Sequence, residues 1–104
     1  MKIDGTERLD GEDPAKWTRW KMLVRSEVLA NGYDGQLEGK DPPEDSGELQ
    51  EWQRKDAILH AFLCRATTGF ALDIIVEGST VGKGGGAWKA LSDEFEGDAR
   101  DRVP

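Results

Sequence analysis

The feature that most constrains this chain is the placing of its four tryptophans. Trp17 and Trp20 stand in DPAKWTRWKMLVRSEVLANG, Trp52 in EWQRKDAILHAFLCRA and Trp88 in AWKALSDEFEG, each near the start of a stretch with helical spacing. A buried indole removes about 150–250 Å² from water and dominates the energetics of a small core. The chain depends on such anchors, because Ile, Leu, Val and Phe supply only 21 of its 104 residues. That share lies at the level below which chains tend to stay disordered. Order must therefore concentrate in the tryptophan-bearing segments. The core they predict is Trp17, Trp20, Val24, Trp52, Leu59, Leu63, Trp88, Leu91 and Phe95.

The periodicity places the elements. Residues 1–12 are polar and Gly-containing and read as a loosely ordered segment. Asp13 suits a capping position and Pro14 the first helical position, where its missing N–H costs nothing. Trp17, Trp20, Val24 and Val28 then recur at three- and four-residue steps, widened by Leu23, as one face of an amphipathic helix. Asn31–Gly32 ends it, since glycine accepts the left-handed conformation at a helix C-terminus, and Tyr33 and Leu37 fold back over the end. Residues 34–47 form an acidic loop in which Pro42–Pro43 block helix and central strand alike.

A second helix runs from Ser46–Glu48 to about Ala66, with Ser46 as its cap and Ile58 and Phe62 widening the face set by Trp52, Leu59 and Leu63. Phe70, Ala71, Ile74 and Ile75 predict a short third helix, with a buried strand at LDIIV as the alternative, because short apolar runs are ambiguous by period alone. Residues 78–86 read as a flexible connector, three successive glycines being costly inside a regular element. The fourth helix is AWKALSDEFEG. Residues 97–104 carry no apolar period and read as a truncated or disordered end. The expected fold class is all-α: a small bundle of about four helices, roughly 18, 19, 8 and 10 residues long, over residues 13–96, with a Pro-rich acidic loop and a Gly-rich connector.

Chemistry-bearing motifs are few. The net charge of −7 disfavours direct nucleic-acid binding, which needs a surplus of cations on one face. Lys16, Arg19, Lys21 and Arg25 form a local basic cluster on the first helix, which reads as a solvated face. With one histidine and one cysteine, neither a catalytic triad nor a multi-cysteine zinc site can be assembled, and no disulfide can form within the chain. His60 reads as a surface partner of Asp56 one turn away, and Cys64 as a small core or boundary residue. GSTVGKGGG falls short of a phosphate-binding loop: Gly78 and Gly82 are one residue too close, and Gly84 stands where Ser or Thr is needed. Asp45-Ser46-Gly47 matches a short aspartic-protease signature, but its neighbours Pro43, Glu44 and Glu48 make a solvated loop rather than a dry cleft. Met1 leads into KIDGTERLDGEDP with no apolar run, so no signal peptide is expected, and FALDIIV is too short to span a bilayer. An intracellular, cytoplasmic protein is expected, with no enzyme activity, cofactor, metal, membrane or small-molecule substrate.

The ordered set of motifs resembles the N-terminal part of the Gag polyprotein of copia-type LTR retrotransposons. The resemblance rests on Leu9, Gly11 and Asp13 at the entry, and on Trp17 and Trp20 in the first helix. It continues through the turn at Leu37 and Gly39, then Trp52, Asp56, Ala57 and Ile58, and finally Ala87, Trp88, Leu91 and Phe95. It covers roughly residues 8–96 and departs from the family pattern at GKGGG. It implies a capsid-like domain that self-associates into particles, with element RNA bound through segments outside this sequence. A host adaptor built on a Gag-like fold is the alternative, followed by a nucleic-acid-binding module using the basic face of the first helix. Tyr33, Phe70 and Ile74 are the candidate interface residues.

Overall fold

A computed structural model describes residues 8–39 and 41–97. Among these residues the chain forms four α-helices: α1 (Ala15–Ala30), α2 (Ser46–Arg65), α3 (Gly69–Gly78) and α4 (Gly84–Ser92). A 3₁₀ turn at Asp34–Gln36 follows α1, and a π turn at Asp93–Gly97 continues α4. The described residues contain no strand, only an isolated parallel bridge between Leu9 and Thr67. LDIIV is therefore helical, with Ala71 and Ile75 buried one turn apart on α3. The parts of the expected ends at 1–7 and 98–104, together with Lys40, lie outside the described residues.

The helix ends follow local chemistry. At the start of α1, the Asp13 carboxylate accepts the Ala15 N–H at 3.0 Å. At its end, Gly32 takes φ +78°, the Gly32 N–H reaches the Leu29 carbonyl at 3.0 Å, and the Tyr33 N–H reaches the Val28 carbonyl at 3.0 Å. This paired closure satisfies carbonyls that a helix C-terminus leaves open. At α2 the expected cap is displaced by one residue. Asp45, in extended backbone, accepts the Glu48 N–H at 3.0 Å, while Ser46 is already helical. A carboxylate there meets the open N–H groups and the positive end of the helix dipole together.

The segment expected to be loose before α1 is clamped where it is described. Leu9 is 1% exposed and its backbone pairs on both sides, N–H to the Ala66 carbonyl at 3.0 Å and carbonyl from the Thr68 N–H at 2.9 Å. The Asp10 carbonyl accepts the Ala71 N–H at 2.9 Å. Gly11 turns with φ +88° against Phe70, Ala71 and Phe95, where a Cβ would come within 3.0 Å of the Phe70 ring. Polar composition could not reveal this, because one leucine and the backbone supply the anchoring.

The larger departure is at the triple glycine. Gly84–Gly86 is the first turn of α4, not a connector. At Gly84 a Cβ would lie 2.6 Å from the Asp56 carbonyl oxygen, 2.6 Å from Leu59 Cβ and 2.7 Å from the His60 nitrogen. The glycine lets α4 cross α2 backbone to backbone. Beside it, the Gly85 N–H donates to Asp56 Oδ1 at 2.8 Å, so a buried α2 carboxylate supplies the anionic cap that α4 lacks in its own sequence. Gly78 meets Ala90 in the same way, a Cβ there falling 3.0 Å from Ala90 Cβ, which brings α3 close to α4. The entropic cost of these glycines is offset by close helix packing.

Around this crossing lies the core. Trp17, Trp20, Val24, Leu59, Leu63, Trp88 and Leu91 are buried as expected, joined by Leu9, Val28, Phe62, Ala66, Ala71, Ile75 and Ala87. Phe95 packs against the core while partly buried. Trp52 differs from expectation: it is half-buried and outside the core cluster. At its level of α2 the 3₁₀ turn comes close, and the Gln36 side chain donates to the Trp52 carbonyl at 3.4 Å.

Gly84 and Gly86 differ in what surrounds them, so the same substitution should act oppositely at the two. Gly84→Ala should destabilise the domain by about 1–3 kcal/mol through forced separation of α4 from α2. Gly86→Ala, where a Cβ meets nothing closer than 3.7 Å, should stabilise it by about 0.4–1 kcal/mol. Asp56→Ala should cost about 1–2 kcal/mol as a lost cap. Urea unfolding followed by far-ultraviolet circular dichroism measures all three.

Candidate interaction groove

α1 has two faces with different fates. Trp17, Trp20, Val24 and Val28 point into the core. Thr18, Lys21, Met22, Arg25, Ser26 and Leu29 form a second stripe that lines a groove of about 760 Å³. Met22 and Leu29 are each 63% exposed, with no neighbouring element over them among the described residues. The turn after α1 lines it too, through Asp34, Leu37 and Glu38, and the buried Trp17 and Trp88 rings give the floor.

The floor belongs to a set of aromatic rings in mutual contact. Trp17 lies 5.5 Å from Trp20, 6.0 Å from Trp88 and 5.0 Å from Phe95, the last pair stacked, and Trp20 stacks on Trp88 at 6.1 Å. Offset contacts of this kind add stabilisation beyond the area they bury. Trp20 also donates from Nε1 to the Ala66 carbonyl at 3.0 Å. Trp17 does not match it: its Nε1 is buried with no hydrogen-bond partner among the described residues. Lys21 lines the groove with its ammonium 5.8 Å from the Trp17 ring centre and ion-paired to Glu96 of the π turn, which also lines it.

The basic cluster is thereby divided. Lys21 and Arg25 line the groove, Lys16 and Arg19 do not, and Lys21 is engaged by Glu96. The three expected interface residues lie elsewhere. Tyr33 is half-buried against the core beneath Lys55, whose ammonium sits 5.9 Å from its ring. Ile74 also packs on the core, and only Phe70 is openly exposed, at 49%, beside Gly11. None of them lines the groove. The sequence signal for the groove was the second helical stripe from Thr18 to Leu29, masked by the charges interleaved in it.

The remaining motifs resolve into structure. Asp45 of the Asp-Ser-Gly triplet is the exposed cap of α2. At the phosphate-loop-like segment, the Gly85 amide is taken by Asp56 and Gly84 is packed on the α2 backbone, so the positions a phosphate would need are filled from within. Asp56 is buried rather than on the surface, and His60 instead lies with Nδ1 3.7 Å from Cys64 Sγ. Burial pushes the Cys64 thiol up, with the nearby Arg65 charge pulling the other way. Among the described residues no group of three or more His, Cys, Asp and Glu side chains is placed to hold a metal ion, and no helix is long and apolar enough to cross a membrane.

The two α1 indoles should respond differently to the same change. Trp20→Phe removes a buried hydrogen bond as well as volume and should cost about 1 kcal/mol more than Trp17→Phe, which removes no hydrogen bond. Thermal and urea unfolding of the two variants gives the difference. Compared with protein-family models, curated proteins and solved structures, the chain matches none, so the functional reading rests on this groove and on the ordered motifs of the sequence.

Proposed function

We propose that this chain is a non-enzymatic helical domain whose task is self-association, as the assembly domain of a Gag-like protein. The observation that carries the reading is the groove on α1. One face of that helix is locked into the core by Trp17 and Trp20, and the other presents Met22 and Leu29 to solvent over an aromatic floor. Rigid presentation of apolar side chains lowers the entropic cost of association, since little remains to be ordered on contact. Exposed apolar side chains gathered on one face mark interaction sites more often than isolated ones do.

The remaining side-chain chemistry points the same way. The groups that catalysis most often uses are committed to architecture: Asp56 caps α4, Asp45 caps α2, and His60 sits against Cys64. The resemblance of the ordered motifs to copia-type Gag supplies the larger role, assembly of a capsid-like particle around the element's RNA. Contact with that RNA falls to other segments, since this one has a net charge of −7.

Sedimentation velocity over a wide concentration range tests the proposal. The expected result is growth beyond the 11.5 kDa monomer as concentration rises. A single monomeric species at every concentration, at low and high salt, would refute self-association by this chain.

A further inference from the structure

The helix side and the turn side of the α1 groove carry opposite charge. Lys21 and Arg25 line it from the helix, and Asp34 and Glu38 from the turn after the helix. Within one copy Lys21 is neutralised by Glu96. Arg25 and Asp34 have no ion-pair partner among the described residues. Met22 and Leu29 flank Arg25 on the helix side, two exposed apolar side chains on either side of an uncommitted cation.

A surface of this kind discriminates between occupants. A strongly acidic partner would be repelled by the turn side, and a strongly basic one by the helix side. A second copy carries both charges, so a two-fold contact can set the helix side of each copy against the turn side of the other. Isologous contacts require this self-complementarity.

We infer that the groove is one half of a two-fold interface between copies of this chain. The ridge formed by Met22, Arg25 and Leu29 on each copy seats in the groove of the other, and Arg25 of each copy faces Asp34 of its mate. This rests on the self-association reading above and assigns it a surface, a symmetry and a charge pair. The contact closes on itself as a dimer, so any larger particle is built by joining such dimers through other surfaces. Because each copy has a net charge of −7, copies repel at long range in dilute salt. The dimer is therefore best measured near physiological ionic strength, where screening over about 8 Å removes most of that repulsion.

Charge exchange tests the pairing. Arg25→Asp places two carboxylates at each contact, and Asp34→Arg places two guanidinium groups there. Each variant alone should associate about tenfold or more weakly than the native chain. An equimolar mixture of the two should recover association. In the mixed dimer the introduced aspartate of one chain meets the introduced arginine of the other. At the second contact, the native Arg25 of the Asp34→Arg chain meets the native Asp34 of the Arg25→Asp chain. Leu29→Glu, at a side chain that is 63% exposed, should weaken association comparably without altering helix content. The readouts are sedimentation velocity for mass and far-ultraviolet circular dichroism for fold. If the native chain associates and these variants associate equally well, the groove is not the interface, while self-association stands. If each variant is weakened but the mixture does not recover, the Arg25–Asp34 pairing is wrong. If the native chain is monomeric throughout, both this inference and the reading beneath it fail.

Discussion

The approach of α4 to α2 at Gly84 is the constraint on which the other contacts depend. With no side chain at that position, two helix backbones meet where even a methyl group would collide with the Asp56 carbonyl and Leu59. The crossing then brings the Gly85 amide onto the Asp56 carboxylate, so that a charge buried in α2 is compensated by the start of α4. A buried carboxylate without such a partner would be costly. Here its position and its compensation arise from the same contact. The same register brings Ala87, Trp88 and Leu91 to the core and Ala90 against Gly78 of α3.

α1 is held differently. Where α2, α3 and α4 meet closely through glycine and alanine, α1 is tied to them through large rings. Trp17 and Trp20 reach Trp88, Trp17 stacks on Phe95, and Trp20 hydrogen-bonds the Ala66 carbonyl that also receives the Leu9 amide. One carbonyl at the end of α2 thus joins α1, the N-terminal segment and the α2–α3 junction. A helix held at the distance of an indole leaves open space beside the rings. The groove between α1 and the turn at Asp34–Leu37 lies over those rings, with Trp17 and Trp88 in its floor. Structure and surface share a cause: the residues that anchor α1 also leave its other face uncovered.

Charge is distributed in keeping with this arrangement. The surface pairs Glu51–Arg54 and Lys89–Asp93 lie within single helices or at their ends and are exposed, so they contribute little to stability. The hydrogen bond from Arg54 holds the Glu51 carboxyl below its usual range, in a setting open to solvent. Lys21–Glu96 is different in kind, because it ties α1 to the π turn after α4 and both residues line the groove. Arg25 on the same helix is exposed, and that contrast separates a basic cluster that was uniform in the sequence.

Helix number, most of the helix boundaries and most of the core were legible in the sequence, since these follow from short-range period and end chemistry. Trp17, Trp20, Val24, Val28, Leu59 and Leu63 repeat with the helical turn, and Asn31–Gly32 can close a helix whatever surrounds it. The position of Trp52 outside the core, the burial of Leu9 and the helical state of Gly84–Gly86 were not legible. Each depends on which backbone arrives opposite, and a linear pattern contains no such information. Glycines that read as slack proved to sit at a backbone-to-backbone contact, because the entropic cost of glycine is visible locally and its packing benefit only across helices. The groove divides the same way. The sequence by itself determined that α1 carries Met22, Arg25 and Leu29 on a second stripe. Only the tertiary structure decided that nothing among the described residues covers them, that Trp17 and Trp88 lie beneath, and that Asp34 lines the same groove, because these relations are set by how far the aromatic rings hold α1 from its neighbours.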